Sequence, residues 1–215
     1  MRRVRVKVCG ITNREDLKAA VDAGADALGF VVDVPASPRS ISLDRARDLV
    51  DATPPFVQSV LVSVFDTVNQ LETLCSCLAP DAVQVAGTLA RDAVCKQFRG
   101  IRLIQAVAVH DEADVALPFA ADCDAVLTDS CVPGAHGGTG KPHNWNISRT
   151  IRDLIAPTPL ILAGGLTPDN VRAAIETVRP YAVDVSSGVE ARAGIKDPAK
   201  IRAFIEAVKE ASDGL

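Results

Sequence analysis

The chain has 215 residues, enough for one domain or at most two small ones. Hydrophobic residues make up 48 % and aromatics 4 %, an aliphatic balance that suits a parallel sheet buried on both faces. A net charge of −4 gives no support to nucleic acid as a partner, and no apolar run approaches the roughly 18 residues that a membrane helix needs.

The N-terminal residues are basic but lack an apolar h-region, so no secretory signal is expected and the chain enters a strand directly. Val4–Cys9 alternates and ends in Cys9-Gly10, a first strand. Thr12 to Glu15 has the form of a capping box, opening a helix with the stripe Leu17, Ala20, Val21 and closed by Gly24. Ala27–Val32 is the second strand. A loop with Pro35, Ser37, Pro38 and Arg39 follows, and Ser42 caps a helix whose inner face is Leu43, Ala46, Leu49 and Val50. Phe56–Phe65 reads as the third strand and Val68, Leu71, Leu74 and Leu78 as the inner stripe of the third helix. Ala82–Val85 is the fourth strand, with a helix expected from about Leu89 to Phe98. Ile101–Val109 is the fifth strand, followed by a helical pattern from Asp111 to Ala121 that Pro118 interrupts. Ala125–Thr128 is the sixth strand and ends at Asp129.

The segment from Cys131 to Trp145 carries Gly134, Gly137, Gly138 and Gly140, and a loop of that length in a compact domain is often functional. A helix runs from about Ser148 to Ile155. After Pro159 the seventh strand ends in Gly164-Gly165. Thr167 suits an N-cap and Pro168 a first helical position, before the stripe Val171, Ala174, Ile175, Val178. The eighth strand runs into Ser186-Ser187-Gly188. Asp197-Pro198 opens the last helix, with Ile201, Phe204, Ile205 and Val208 on one face.

Eight strands alternate with eight helices, and strand starts recur at about 25-residue intervals. This pattern predicts one closed (β/α)8 TIM barrel spanning residues 1–215. A doubly wound open sheet is the rival, but it seldom needs eight even units and its Gly-x-Gly-x-x-Gly fingerprint is absent after the first strand. The six cysteines, Cys9, Cys75, Cys77, Cys95, Cys123 and Cys131, sit in apolar runs or helices without the paired clusters of a zinc site. Most of them read as free, small hydrophobes in a reducing cytoplasm, and no metal site is expected. His136 and His143 lack helical metal spacing and read, with His110, as surface residues.

In such a barrel the chemistry lies at the C-terminal strand ends. Placed there are Cys9, Arg39, Gln84, Asp129, Asp184 and Ser186, with Gly164, Gly165, Ser187 and Gly188 on the last two strands. Small residues at those last ends let backbone N–H groups approach an anion, a recurring phosphate cup, although paired glycines also make ordinary turns. Cys9 in a strand would usually be a packing residue; as the last residue before Gly10 it is a plausible nucleophile or base. Asp129 either caps the next turn or, partly buried, keeps a proton as a general acid. Asp184 shares strand parity with Ser186 and suits hydroxyl binding or orientation. Arg39 is either solvated or a fork for a carboxylate. An acid and a base beside a phosphate cup, with no nucleotide fingerprint, metal cluster or cofactor lysine motif, point to a cofactor-free phosphosugar isomerase or epimerase, with lyases next.

Eight segments then occur in one order: Lys7 to Thr12, Ala25 to Phe30, Ser37-Pro38-Arg39, Val83-Gln84, Leu127 to Ser130, Gly137 to Gly140, Leu162 to Leu166 and Val183 to Glu190. Together they resemble the phosphoribosylanthranilate isomerase family of tryptophan biosynthesis. The resemblance runs from the first strand to the last helix and is weakest between Leu89 and Cys123. It implies a cofactor-free Amadori rearrangement of N-(5-phosphoribosyl)anthranilate, with Asp129 as general acid and Cys9 as general base. It further implies Arg39 on the anthranilate carboxylate, Asp184 binding a sugar hydroxyl or orienting the substrate, and Gly165, Ser187 and Gly188, with the Gly137–Gly140 loop that holds Gly138 and Gly140, around the phosphate; Gln84, Gly164 and Ser186 are expected to bind substrate from their strand-end positions. The expected partner is the small phosphosugar, with no nucleic acid and no membrane, for a monomer or homodimer. Two departures stand out. Ala86 occupies a position where the family usually has histidine, and His143-Asn144-Trp145 replaces Phe-Asp-Trp. The alternatives are another phosphosugar isomerase or lyase on the same scaffold, or a non-catalytic phosphosugar-binding barrel.

Overall fold

The computed structural model describes residues 3–65, 67–86, 100–109, 123–130 and 143–214. The helices expected over Leu89–Phe98 and Asp111–Ala121, and most of the glycine-rich loop, lie outside these residues.

Eight parallel strands form a closed barrel: β1 (Arg5–Cys9), β2 (Ala27–Val32), β4 (Gln58–Ser63), β5 (Ala82–Ala86), β6 (Arg102–Val109), β7 (Ala125–Ser130), β8 (Leu160–Leu162) and β9 (Ala182–Val185). Closure comes from pairing of β1 with both β9 and β2. The short β3 (Ser40–Ile41) adds to β2 beyond its barrel pairing, and β10 (Glu190–Arg192) with β11 (Ile195–Lys196) makes a small antiparallel hairpin after β9. The described helices are α1 (Arg14–Ala23), α2 (Leu43–Asp51), α3 (Val68–Leu78), α4 (Trp145–Ile155), α5 (Val171–Val178) and α6 (Pro198–Asp213).

The period-two alternation of each strand sorts side chains into two cores. Val4, Val6, Val8, Leu28, Phe30, Leu162 and Val183 face the helices and pack against residues such as Leu49, Ile175 and Phe204. Val60, Ala82, Ile104, Ala125, Leu127, Ile161 and Ala182 fill the barrel interior. The same parity turns Lys7, Cys9, Gln84, Asp129 and Asp184 inward, which is why a strand reading alone can place them on one side.

Three aspartates lock register at the N-terminal end. Asp26, Asp81 and Asp124 each precede an alanine that starts a strand. Each accepts a backbone N–H from the neighbouring strand: Val6, Ser59 and Leu103, all at 2.8 Å.

Two helix starts differ from the sequence expectation. Asn13, not Thr12, caps α1, its side chain accepting from Asp16 N at 2.7 Å, because the Thr12 hydroxyl is drawn away to Gly194 O at 2.7 Å. α5 begins at Val171 rather than beside Thr167; Asn170 Oδ1 accepts from Thr167 N at 2.8 Å and turns the intervening residues into a lead-in. The third strand is shorter than Phe56–Phe65, since Phe56 is fully exposed at φ 73°. The caps at Ser42 and Asp197, with Pro198 inside the first turn, are as expected.

Candidate active site

Cys9 ends β1 on the inward face and is buried. The thiol needs Gly29 beside it: a Cβ there would come within 2.7 Å of the Cys9 sulfur. Gly10 follows with φ 77°, a left-handed backbone that favours glycine. A Cβ on Gly10 would lie 2.6 Å from Arg39 Cδ and 3.2 Å from Ser186 Oγ, so the Arg39 stem and the β9 end close over the residue next to the thiol.

Below the thiol sits Lys7, which its position short of the strand end does not mark. Lys7 is inward and 3 % exposed, and its Nζ donates to Asp184 Oδ1 at 3.0 Å and Gln84 Oε1 at 2.9 Å. Burial works against its charge, but Asp184 and Cys9 outweigh it and raise Lys7 to about 12. Lys7 therefore links Gln84 and Asp184. The signal was available: a lysine at an inward position of a buried strand is paired or functional.

The two titratable groups expected to do chemistry share these neighbours. Burial pushes the Cys9 thiol up and Asp184 adds to this, while the Lys7 and Lys196 ammonium groups oppose them. Burial pushes Asp129 from 3.8 to about 6, helped by Asp184 and opposed by the Ser130 backbone and Lys7. An acid that keeps its proton to about 6 and a thiol that resists ionisation can exchange protons with substrate once positioned.

Arg39 leads into β3 and is anchored by a missed residue, Glu190 at the start of β10. Nε and Nη2 of Arg39 meet the two Glu190 carboxylate oxygens at 2.7 and 2.8 Å. Lys196 on β11 reaches Glu190 Oε1 at 3.0 Å and Ser186 O at 3.1 Å. Ser186 thus sits against Lys196 and the Gly10 turn.

At the last two strand ends, Gly164 and Gly165 adopt φ 88° and 63°. Gly164 packs so closely on Ser130 that no Cβ fits, and Gly188 does the same against the Leu166 carbonyl. Ser187 and Gly188 lie in a short 3-10 turn, Ser187–Val189, beside the Gly165 loop. Gly138 and Gly140 fall outside the described residues.

His143 is not a surface residue. It is half-buried, its Nδ1 lies 3.0 Å from Ser130 Oγ and its Nε2 2.6 Å from Ser148 Oγ, and Ser148 donates on to Thr128. Burial lowers its pKa to about 4, so the ring is neutral at working pH. Among the described residues no His, Cys, Asp and Glu cluster could hold a metal ion, and no helix is long and apolar enough to cross a membrane. A cavity of about 410 Å³ at the opposite mouth, lined by residues including Arg5, Gln58, Arg102 and Tyr181, contains none of the predicted site residues.

Residues 6–207 match the family model for N-(5'-phosphoribosyl)anthranilate (PRA) isomerase. A relative of that name from Haloferax volcanii is 46 % identical over 211 residues, 96 % of this chain and 94 % of its own length. The crystal structure of phosphoribosyl anthranilate isomerase from Thermotoga maritima is similar with a TM-score of 0.83 and 40 % identity, covering 96 % of this chain and 99 % of that one. Another crystal structure, with a TM-score of 0.80 and 38 % identity, covers 96 % of this chain and 99 % of its own. It shows phosphoribosyl anthranilate isomerase in complex with reduced 1-(o-carboxyphenylamino)-1-deoxyribulose 5-phosphate.

Proposed function

This chain belongs to the N-(5'-phosphoribosyl)anthranilate isomerase family, and from that premise we propose that Asp129 is its general acid and Cys9 its general base. The enzyme converts N-(5-phosphoribosyl)anthranilate into 1-(2-carboxyphenylamino)-1-deoxyribulose 5-phosphate in tryptophan biosynthesis.

In this reading Asp129 gives its proton to the furanose ring oxygen. The C1–O bond breaks as the anthranilate nitrogen lone pair forms a C1=N iminium. The cationic imine acidifies the C2 hydrogen, and the Cys9 thiolate takes that proton. The electron pair moves into C1=C2 and neutralises the nitrogen, and the enol then becomes the C2 ketone as its hydroxyl gives up its proton and C1 takes one. Lys7 offsets the charge that appears on Cys9, and Asp184 orients a sugar hydroxyl while it pairs with Lys7. Arg39 takes the anthranilate carboxylate. Gly164, Gly165, Ser187 and Gly188 surround the phosphate. The buried free thiols Cys9 and Cys75 support a reducing, cytoplasmic setting.

The observation that carries the assignment is placement: Cys9 and Asp129 lie at the C-terminal ends of β1 and β7 on the same inward face as the Lys7–Asp184 pair. A fluorescence assay on the substrate tests it. Cys9→Ala and Asp129→Asn should each lower kcat by roughly 10²-fold or more with modest change in product-analogue affinity. Near wild-type kcat in both variants would reject the pair.

A further inference from the structure

Glu190 and Lys196 neither give nor take a proton in this mechanism, yet they are among the most deeply buried charges of the described residues. Lys196 is 0 % and Glu190 5 % exposed at the side chain, and Arg39 only 13 %. Such a group costs stability unless its charges are matched and its donors used.

The geometry of the match is informative. A guanidinium presents five N–H donors in a planar fork, with a side-on edge through Nε and an end-on edge between the two terminal nitrogens. Glu190 occupies the side-on edge of Arg39, at 2.7 Å to Nε and 2.8 Å to Nη2. The end-on edge therefore faces away from Glu190. The loop carrying Arg39 is braced by the same hairpin. Gly194, at φ 77°, packs where a Cβ would lie 2.8 Å from Pro38 O; its N–H reaches Glu190 Oε1 at 3.4 Å and its carbonyl accepts from Thr12 at 2.7 Å. The fork is thus fixed above Gly10, one residue from Cys9.

The charge count points the same way. Arg39 and Lys196 are cations and Glu190 is the one anion between them, so the trio carries one unit of positive charge. Burial alone would raise the Glu190 carboxyl, but Arg39 and Lys196 hold it below its ordinary value, so it stays ionised. Without Lys196, Glu190 would cancel Arg39 and repel a second carboxylate brought to the fork.

We infer that Lys196 is a positioning residue for substrate specificity: it neutralises Glu190, so that Arg39, held side-on by Glu190, keeps a net charge and an end-on edge, untaken among the described residues, for an aromatic carboxylate. The ring carboxylate needs this device because an isolated arginine already paired with an acid would offer it little. This inference rests on the assignment of Arg39 to that carboxylate.

The test compares two ligands by titration calorimetry: reduced 1-(o-carboxyphenylamino)-1-deoxyribulose 5-phosphate and the same compound without its ring carboxylate. Wild type should prefer the carboxylated ligand by roughly tenfold or more, and Arg39→Ala should abolish the preference. Lys196→Met should lose most of the preference while binding the carboxylate-free ligand within about threefold of wild type. In turnover, its KM should rise, and Lys196→Arg should restore the preference. Lys196→Gln, which can still donate to Ser186 and Glu190, makes the same measurement if Lys196→Met fails to fold by circular dichroism. Equal weakening of both ligands, or of neither, in the Lys196 variants would overturn the inference while Arg39→Ala still upholds the carboxylate assignment. A preference that survives Arg39→Ala would instead remove that assignment, and this inference with it.

Discussion

At the scale of single residues, the acid and the base have pKa values in an unusual order. Asp129, which must be protonated to act, is raised only to about 6. Cys9, which must be ionised, is pushed above its ordinary 9.0 by burial. The working form therefore holds its proton on the stronger acid and lacks it on the weaker one. Its fraction rises with pH until Asp129 titrates near 6, stays level while the gain in thiolate offsets the loss of the acid, and falls above the Cys9 value. The expected kcat/KM profile is a broad plateau with its lower shoulder near 6, and that shoulder belongs to the acid. Asp129→Asn, though much slower, should remove the shoulder and leave a rate that climbs about tenfold per pH unit toward the thiol's own value. A stopped or continuous assay between pH 5 and 10 would measure both profiles, and a shoulder retained by the Asn variant would assign it elsewhere.

At the scale of elements, the main barrel strands and the described helices were legible because each buries a complete apolar stripe or alternation. The parts that escaped are short or are fixed by distant partners. β3 has two residues and the β10–β11 hairpin five in its strands, too few for any period to show. Yet these pieces supply Glu190 and Lys196. Thr12 had the sequence of a cap, but a contact 182 positions away claimed its hydroxyl. Lys7 looked like the polar half of an alternating strand, and only closure of the barrel turns that half into a buried interior. Cys9, Asp129 and Asp184 were visible because a strand end is a position that sequence alone can mark. The β8 and β9 ends carry a further consequence. Gly188 has no room for a side chain against the Leu166 carbonyl, so Gly188→Ala must part the two loops that would flank a phosphate. The expected result is a tenfold or greater rise in KM and in the dissociation constant of inorganic phosphate. A smaller loss of the thermal transition should accompany it, and unchanged phosphate binding would place the seat elsewhere.

At the scale of the whole molecule, stability and chemistry occupy opposite ends of one barrel. The N-terminal end is tied by Asp26, Asp81 and Asp124 to backbone N–H groups of neighbouring strands, an Asp-Ala pair recurring at alternate units. The C-terminal end instead buries charges that the fold alone does not require. Asp129 shows the cost most plainly. Its folded pKa of about 6 lies above the ordinary 3.8, so folding favours its protonated form. Its contribution is complete below the unfolded value and is lost as pH rises through about 6, which leaves a penalty at neutral pH. The gap corresponds to at most about 3 kcal/mol, reduced by the partial exposure of the side chain. Asn has nearly the same shape and no charge to bury. Asp129→Asn should therefore be more stable than wild type at pH 7 to 8, by roughly 2–8 °C in thermal transition for a chain of this size. The difference should shrink steadily as pH is lowered toward 4, where both side chains are neutral. Melting curves across that range separate this from a simple packing change, which would leave the same difference between the two proteins at every pH.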